Sequence, residues 1–301
     1  MENQMGSLNF LDYLDLEETT SSNQDELSRD SLPHAKLVEL GQSAVDAAQR
    51  GYYINSDGTE IDWRIHVDNA CRSKISISPD DPLPEGNRNN FPQTNVQVVN
   101  ETTLQASRKL VEKGHRPLAL NFANGHMPGG SFLDGARAQE EALCRSSALY
   151  HTLVDDPMYD YHCQREGHDF ESSNWAIYSP DVPVFRMDNG KALDEPWLLS
   201  CLTCAAPVAD IVEQPKAGDL LEERIHRVLS IAYAYNYSTL VLGAWGCGAF
   251  GNDKTRTAKD FRKALENEFG GAFSDIIYAI TDWSPERKTF GVFRDVFSVY
   301  Y

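Results

Sequence analysis

The chain has 301 residues, 41% of them hydrophobic, enough to bury a substantial core as one large domain or two modest ones. No run approaches the roughly eighteen apolar residues that span a bilayer, and the N-terminus lacks the basic, apolar and small-residue order of a secretory signal. A net charge of −18 argues against gripping duplex nucleic acid, because phosphate neutralisation needs a lysine and arginine surface.

Residues 1–31 carry eight acidic side chains against Arg29 alone, a charge of −7 that leaves −11 for the rest. The composition predicts a disordered acidic leader over 1–34. Its cluster of Leu8, Phe10, Leu11 and Leu14 reads either as a docking element for a partner or as a solvated or locally packed extension. Apolar positions at helical spacing predict a helix over 37–50, with Gly51 as its stop. The polar stretch to Pro92 reads mainly as loops.

Beyond it the pattern becomes regular. A strand is expected over 96–99, then a helix opened by Thr102, with Gln105 completing a capping box. A second strand over 118–123 leads into a loop over 124–136, and a helix from about Ala138 runs through Tyr150. Further strands are expected over 182–186, 199–205, 239–243 and 276–280, with helices over 220–235 and 255–269. This alternation predicts an α/β fold, a mixed or largely parallel sheet sandwiched by helices, with ligands beyond the carboxyl ends of the strands.

Two glycine-rich loops fall at such ends. The first contains Asn124, His126, Met127, Gly129, Gly130 and Ser131, followed by Gln139, Glu140 and Glu141 at a helix start. Glycines let a backbone direct N–H groups closely at a phosphate, and a helix N-terminus favours anions. The second loop contains Gly243, Trp245, Gly246, Cys247, Gly248, Ala249, Phe250 and Gly251. By itself it reads equally as a second phosphate wall or as a strained connection. Phe250 either presents its face to a ribose or base or packs beneath the loop. Adjacent glutamates alone are most often a solvated helical face.

The segment PGGSFLDGARAQEEALCRSSALY, together with Tyr178, Ser179, Pro180, Val184, Phe185, Arg186 and LVLGAWGCGAFGN, resembles the microbial-type poly(ADP-ribose) glycohydrolase family. The resemblance runs from about residue 35 and leaves only the leader outside. It implies a macrodomain-like catalytic domain over 95–301 and an N-terminal, mainly helical accessory region over 35–94. It also implies a Gly-Gly-Gly loop gripping a diphosphate and a Gln-Glu-Glu motif carrying the catalytic carboxyl group. Those positions are Gly129, Gly130 and Ser131, then Gln139, Glu140 and Glu141, so Ser131 replaces the third glycine. Either its backbone angle suits a non-glycine residue or the loop approaches the pyrophosphate less closely.

The resemblance makes Glu141 the general acid and base, Glu140 the residue fixing ribose hydroxyls, Asn124 a ribose contact, and Phe250 a stacking surface near the ribose. The remaining second-loop residues, Gly246, Cys247, Gly248, Ala249 and Gly251, bind phosphate. A raised-pKa carboxyl group is needed to protonate the departing 2′-oxygen of a ribose–ribose bond, and neighbouring charge and burial favour a protonated member of the pair. The implied activity is exo-acting release of ADP-ribose. The alternatives are a non-catalytic ADP-ribose-binding macrodomain and a mono-ADP-ribosyl hydrolase. The implied partners are poly(ADP-ribose) or ADP-ribose and proteins carrying the polymer, with no duplex nucleic acid and no membrane.

No cofactor or metal is expected. Cys201 and Cys204 form a lone CxxC in a strand, His162, Cys163 and His168 have no evident fourth ligand, and Cys247 has no sequence-local base. The six scattered cysteines read as reduced thiols in an intracellular protein, cytoplasmic or nuclear.

Overall fold

The computed structural model describes residues 6–11, 32–86, 90–168 and 170–298. A short strand β1 (Ser7–Phe10) precedes helix α1 (His34–Arg50), the hairpin β2 (Tyr52–Ile54) and β3 (Glu60–Asp62), helix α2 (Arg64–Ser73) and strand β4 (Ile75–Ile77). Then come β5 (Gln93–Val99), α3 (Thr103–Glu112), β6 (Pro117–Ala123), α4 (Gln139–Ser146), α5 (Leu149–Leu153) and α6 (Pro157–Gln164). The long strands β7 (Ala176–Arg186) and β8 (Ala192–Ala205) lead to α7 (Ala209–Val212), α8 (Lys216–Ala234), β9 (Thr239–Leu242), α9 (Lys254–Glu266), β10 (Asp275–Ala279) and α10 (Phe290–Ser298).

Eight strands form one sheet in the order β1-β5-β10-β9-β6-β8-β7-β4. The run from β1 to β8 is parallel, and β7 and β4 close the edge antiparallel. Strands covered on both faces need continuous apolar runs, and alternate residues then face opposite helical layers. Leu118 and Leu120 join Leu221, Ile225 and Phe261 on one face, whereas Ala119 joins Trp63, Leu143 and Leu149 on the other. The macrodomain-like mixed α/β sandwich expected from the sequence is the observed architecture.

α1 ends as expected: Gly51 takes φ 79° and its N–H donates to the Ala47 carbonyl. The Thr102–Gln105 capping box is also present. The expected helix from about Ala138 through Tyr150 instead breaks at Ser147, which turns extended to bridge Val184. Long-range pairing outweighs helical periodicity there.

The leader differs from its expectation at β1, which pairs in parallel with β5 and buries Phe10 in the core, with Leu8 packed beside it. Local packing thus accounts for those two residues; Leu14 and the rest of 12–31 lie outside the described residues. The stretch read as loops before Pro92 holds α2, a hairpin and β4. Its short elements are anchored by Trp63, fully buried, whose indole N–H donates to the Ala47 carbonyl at 3.0 Å. Trp63 and Tyr53 pack on Phe185 of β7 at ring distances of 4.6 and 5.1 Å, so this region shares a core with the sheet. Among the described residues no helix is long and apolar enough to cross a membrane.

Candidate active site

A cavity of about 330 Å³ opens where the parallel strands end. Glu101, Thr102 and Thr103 follow β5, Phe122 to Asn124 end β6, Ala206 follows β8, Ala244 to Phe250 follow β9, and Ala279 to Thr281 end β10. Backbone N–H groups and loop side chains converge at such ends because every strand delivers its chain there. The lining holds three carboxylates, Glu101, Glu140 and Glu141, and neither lysine nor arginine.

Gln139 sets the position of the carboxyl pair. Its Oε1 accepts from the Phe122 N–H, while its Nε2 donates to the Leu120 carbonyl at 2.7 Å and to Thr103 Oγ1 at 3.1 Å. The amide is engaged by the protein, so this residue clamps the first turn of α4 to β6 and α3. Glu140, 2% exposed, accepts from the Asn124 N–H at 2.7 Å and from Asn121 Nδ2 at 3.2 Å. Burial pushes its carboxyl up to about 8, with the Glu141 charge adding to the rise, despite opposing hydrogen bonds from Asn124 and Asn121. Asn121 Oδ1 is buried without a partner among the described residues. Rotating that amide would turn the orphan oxygen toward a proton on Glu140, an arrangement that suits the neutral form.

Glu141 sits beside it with a different environment. Its Oε1 accepts from the Ser131 N–H at 3.2 Å, whereas its Oε2 is buried and has no partner among the described residues. An unpaired carboxylate oxygen on a cavity wall costs desolvation energy unless a ligand meets it. Burial thus raises the Glu140 carboxyl, and the buried carboxyl oxygen left without a partner among the described residues belongs to Glu141.

The first glycine loop lies behind this pair. Gly129 and Gly130 adopt φ of 73° and 57°, and a Cβ on Gly130 would stand 2.4 Å from Glu141 Oε1. The Gly129 amide favours charge on Glu140, the Gly130 N–H closes a turn onto the Met127 carbonyl, and the Ser131 N–H holds Glu141. None of the three lines the cavity. Ser131 has φ −97° and ψ 38°, accessible to any residue, so no glycine is required there. Ser131→Gly is accordingly expected to leave turnover unchanged and to lower stability by about 0.4–1 kcal/mol through unfolded-state entropy, measurable by denaturant titration. Asn124 does line the cavity; its Oδ1 accepts from the His126 and Met127 N–H groups, and its Nδ2 has no partner among the described residues.

The second loop supplies the free donors. Gly246 takes φ 72°, where a Cβ would stand 2.7 Å from Asn252 Nδ2, and Asn252 in turn holds the Pro207 and Gly246 carbonyls. The N–H groups of Gly246, Gly248, Ala249 and Phe250 have no acceptor among the described residues. Consecutive unpaired amides form an anion cradle without any basic side chain. Gly251 stands outside the lining, its φ of 68° turning the chain against Asp210. Cys247 is a buried thiol pushed up to about 11 by desolvation, with its Sγ directed at the Trp245 carbonyl. Phe250, half-buried, lines the cavity, and its carbonyl holds the Ala209 N–H.

Trp245 and Thr289 complete the walls together with Glu101 and Thr281, two residues that the sequence motifs do not mark. Their signal was position just past a predicted strand. Cys201 and Cys204 are core thiols, pushed up by burial to about 12 and about 11. Among the described residues no group of three or more His, Cys, Asp or Glu could hold a metal ion.

A family model for the microbial-type PARG catalytic domain matches residues 41–187. The crystal structure of poly(ADP-ribose) glycohydrolase from Thermomonospora curvata superposes with a TM-score of 0.79 at 34% identity, covering 87% of this chain and 99% of that one. The chain belongs to the microbial-type poly(ADP-ribose) glycohydrolase family. The same Thermomonospora curvata enzyme bound to the inhibitor ADP-HPD matches equally, at TM-score 0.79, 34% identity and the same coverage of 87% and 99%. A glycohydrolase of this family from Deinococcus radiodurans in complex with ADP-ribose matches at TM-score 0.69 and 37% identity, over 76% of this chain and 96% of that one. The comparison with curated proteins gave no match.

For this family member the raised Glu140 carboxyl has a consequence for stability. In the unfolded chain the group loses its proton near the ordinary value of 4.5, in the folded chain near 8. Between those values the folded state binds more protons, so stability falls as pH rises through the window. Glu140→Gln removes the titration and offers a donor to Asn121 Oδ1. Its stability relative to the unsubstituted chain is expected to rise from pH 5 to pH 8 by on the order of a few kcal/mol. Thermal melts across that range check the sign.

Proposed function

We infer that this chain is a poly(ADP-ribose) glycohydrolase, hydrolysing the ribose–ribose O-glycosidic bond with Glu141 as acid and base. One observation carries the reading: a single cavity is lined both by Glu141, whose buried Oε2 has no partner among the described residues, and by second-loop residues whose backbone N–H groups have no acceptor among them. The free amides suit a diphosphate, which places the attached ribose at the carboxyl end of the cavity. Neutral Glu140 and the Asn124 side-chain amide then hold the ribose hydroxyls. Glu141 in its acid form protonates the departing 2′-oxygen as oxocarbenium character develops, and the resulting carboxylate takes a proton from the attacking water.

The capture of ADP-ribose and ADP-HPD by the relatives supports this reading. Incubation with poly(ADP-ribose), and separately with a mono-ADP-ribosylated protein, tests it: free ADP-ribose released from the polymer is expected, and binding without release would sink it.

The same reading includes attack from polymer ends. At −18, with no lysine or arginine in the cavity lining, the chain lacks a local basic track for successive diphosphates, whereas four free amides suffice for one. Residues 35–94 serve as the accessory region, with α1 backing the first loop: a Cβ on Gly41 would stand 2.7 Å from the Phe132 carbonyl. Chromatography over a time course is expected to show monomeric ADP-ribose from the outset. Early accumulation of oligomers would overturn end-directed cleavage. The partners are proteins carrying the polymer. Six free thiols favour an intracellular site of action, cytoplasmic or nuclear.

A further inference from the structure

In the segment after α6 the backbone adopts an uncommon conformation at two non-glycine positions in a row of three: Phe170 has φ 63° and Ser172 φ 57°. A left-handed conformation costs a residue such as phenylalanine about 1–2 kcal/mol. Phe170 gains only partial burial in return, for it is 42% exposed. A strained, exposed aromatic persists only where its surroundings over-determine it.

Those surroundings are well built. The Phe170 carbonyl accepts from the Val208 N–H at 2.9 Å. Glu171 is held by His168 at 2.9 Å and by Lys216, and its carbonyl is held by the Arg224 guanidinium. Arg224 is 1% exposed and also donates to the Ala205 carbonyl, where the chain enters the cavity wall. On the other side His162, buried, bonds the Gly125 carbonyl through Nδ1 and Ser173 Oγ through Nε2. Because a carbonyl only accepts, Nδ1 carries the proton and Nε2 receives the Ser173 hydroxyl. Both loops are thereby fastened together, and the His126 ring rests 5.4 Å from that of Phe170.

This pair is linked through Asn124 to Glu140, one of the carboxyl groups that line the cavity. His126 is two residues from Asn124, whose N–H holds Glu140 and whose Oδ1 holds the His126 N–H. On the opposite flank, Val208 bonds Phe170 and the next residue, Ala209, bonds the Phe250 carbonyl. Phe170 is thus tied on one side to the loop that carries Asn124 and on the other to the segment that holds Phe250, and both of those residues line the cavity.

Resting on the hydrolase reading above, we propose that Phe170, backed by His126, is the platform on which the purine base of the departing ADP-ribose unit stacks. The departing unit bears that base on the ribose whose 2′-oxygen is released, within a few ångströms of the broken bond, and an exposed aromatic face suits a base of any orientation. Phe170 would thus act on the leaving unit, where the cavity itself acts on the unit that is retained.

Binding isolates this role. In a Glu141→Gln background, affinity is measured for ADP-ribose, which fills the cavity only, and for the two-unit dimer, with and without Phe170→Gly. Glycine accepts the left-handed conformation, so the melting temperature is expected to hold or rise. The dimer should bind about tenfold more weakly in the glycine variant, with ADP-ribose unchanged, and Phe170→Tyr should restore the dimer. Equal weakening of both ligands, or of neither, overturns the platform. A chain with native Glu141 that leaves the polymer intact would sink the hydrolase reading instead, since the two binding measurements do not require turnover.

Discussion

Glu141→Gln is expected to lower turnover on poly(ADP-ribose) by about 10²–10⁴-fold, the range of a positioned general acid and base, while ADP-ribose binds nearly as before. Glutamine keeps the acceptor for the Ser131 N–H, so the first loop retains its anchor. What it removes is the ionisable Oε2, a buried atom with no partner among the described residues. The second-loop amides that suit the diphosphate are untouched. Single-turnover rates and calorimetric titration with ADP-ribose separate the two effects. Turnover near the unsubstituted level would move the acid to another residue, with Glu140 the first candidate, since its carboxyl is already held neutral up to about 8.

The second large effect is expected at Gly130. Its φ of 57° is unfavourable to a side chain by about 1–2 kcal/mol, and its Cβ would stand 2.4 Å from Glu141 Oε1 and 3.2 Å from Glu140 Oε2. Both carboxyl groups are boxed in by the Asn124 and Ser131 N–H groups, so neither yields freely. Gly130→Ala should displace Glu141 by a sizeable part of an ångström, and misplacement of about 1 Å costs about 10²-fold in rate. Turnover should therefore fall far more than ADP-ribose affinity. Equal losses in both would mean that the loop touches the ligand directly. Ser131→Gly, one residue on, is the control for loop perturbation alone.

Much of the architecture was legible because it is written in local pattern. The alternation in Leu118, Ala119 and Leu120 assigns a two-faced strand, and Thr102 with Gln105 announces a helix start that the structure contains. The misses share a cause. Ser7–Phe10 carries no strand signal of its own and becomes a strand only because β5 offers an open edge. Likewise Ser147 leaves a good helical run to pair with Val184. Helix α6, by contrast, carries a local start signal, the Asp156 cap followed by Pro157.

The α/β class, the two glycine loops and the adjacent carboxyl pair follow from the order of amino acids alone, since they rest on periodicity, on glycine's conformational freedom and on short spacing. How those parts divide the work depends on packing between segments far apart in the chain. The first loop, expected to grip a diphosphate, directs its amides at Glu140, at Glu141 and into its own turn, while the second keeps its amides free. Glu140 and Glu141 are neighbours of identical chemistry, yet burial raises the first and an unmet oxygen distinguishes the second. Desolvation and hydrogen-bond satisfaction depend on what the rest of the chain packs around a group, and no local pattern encodes them.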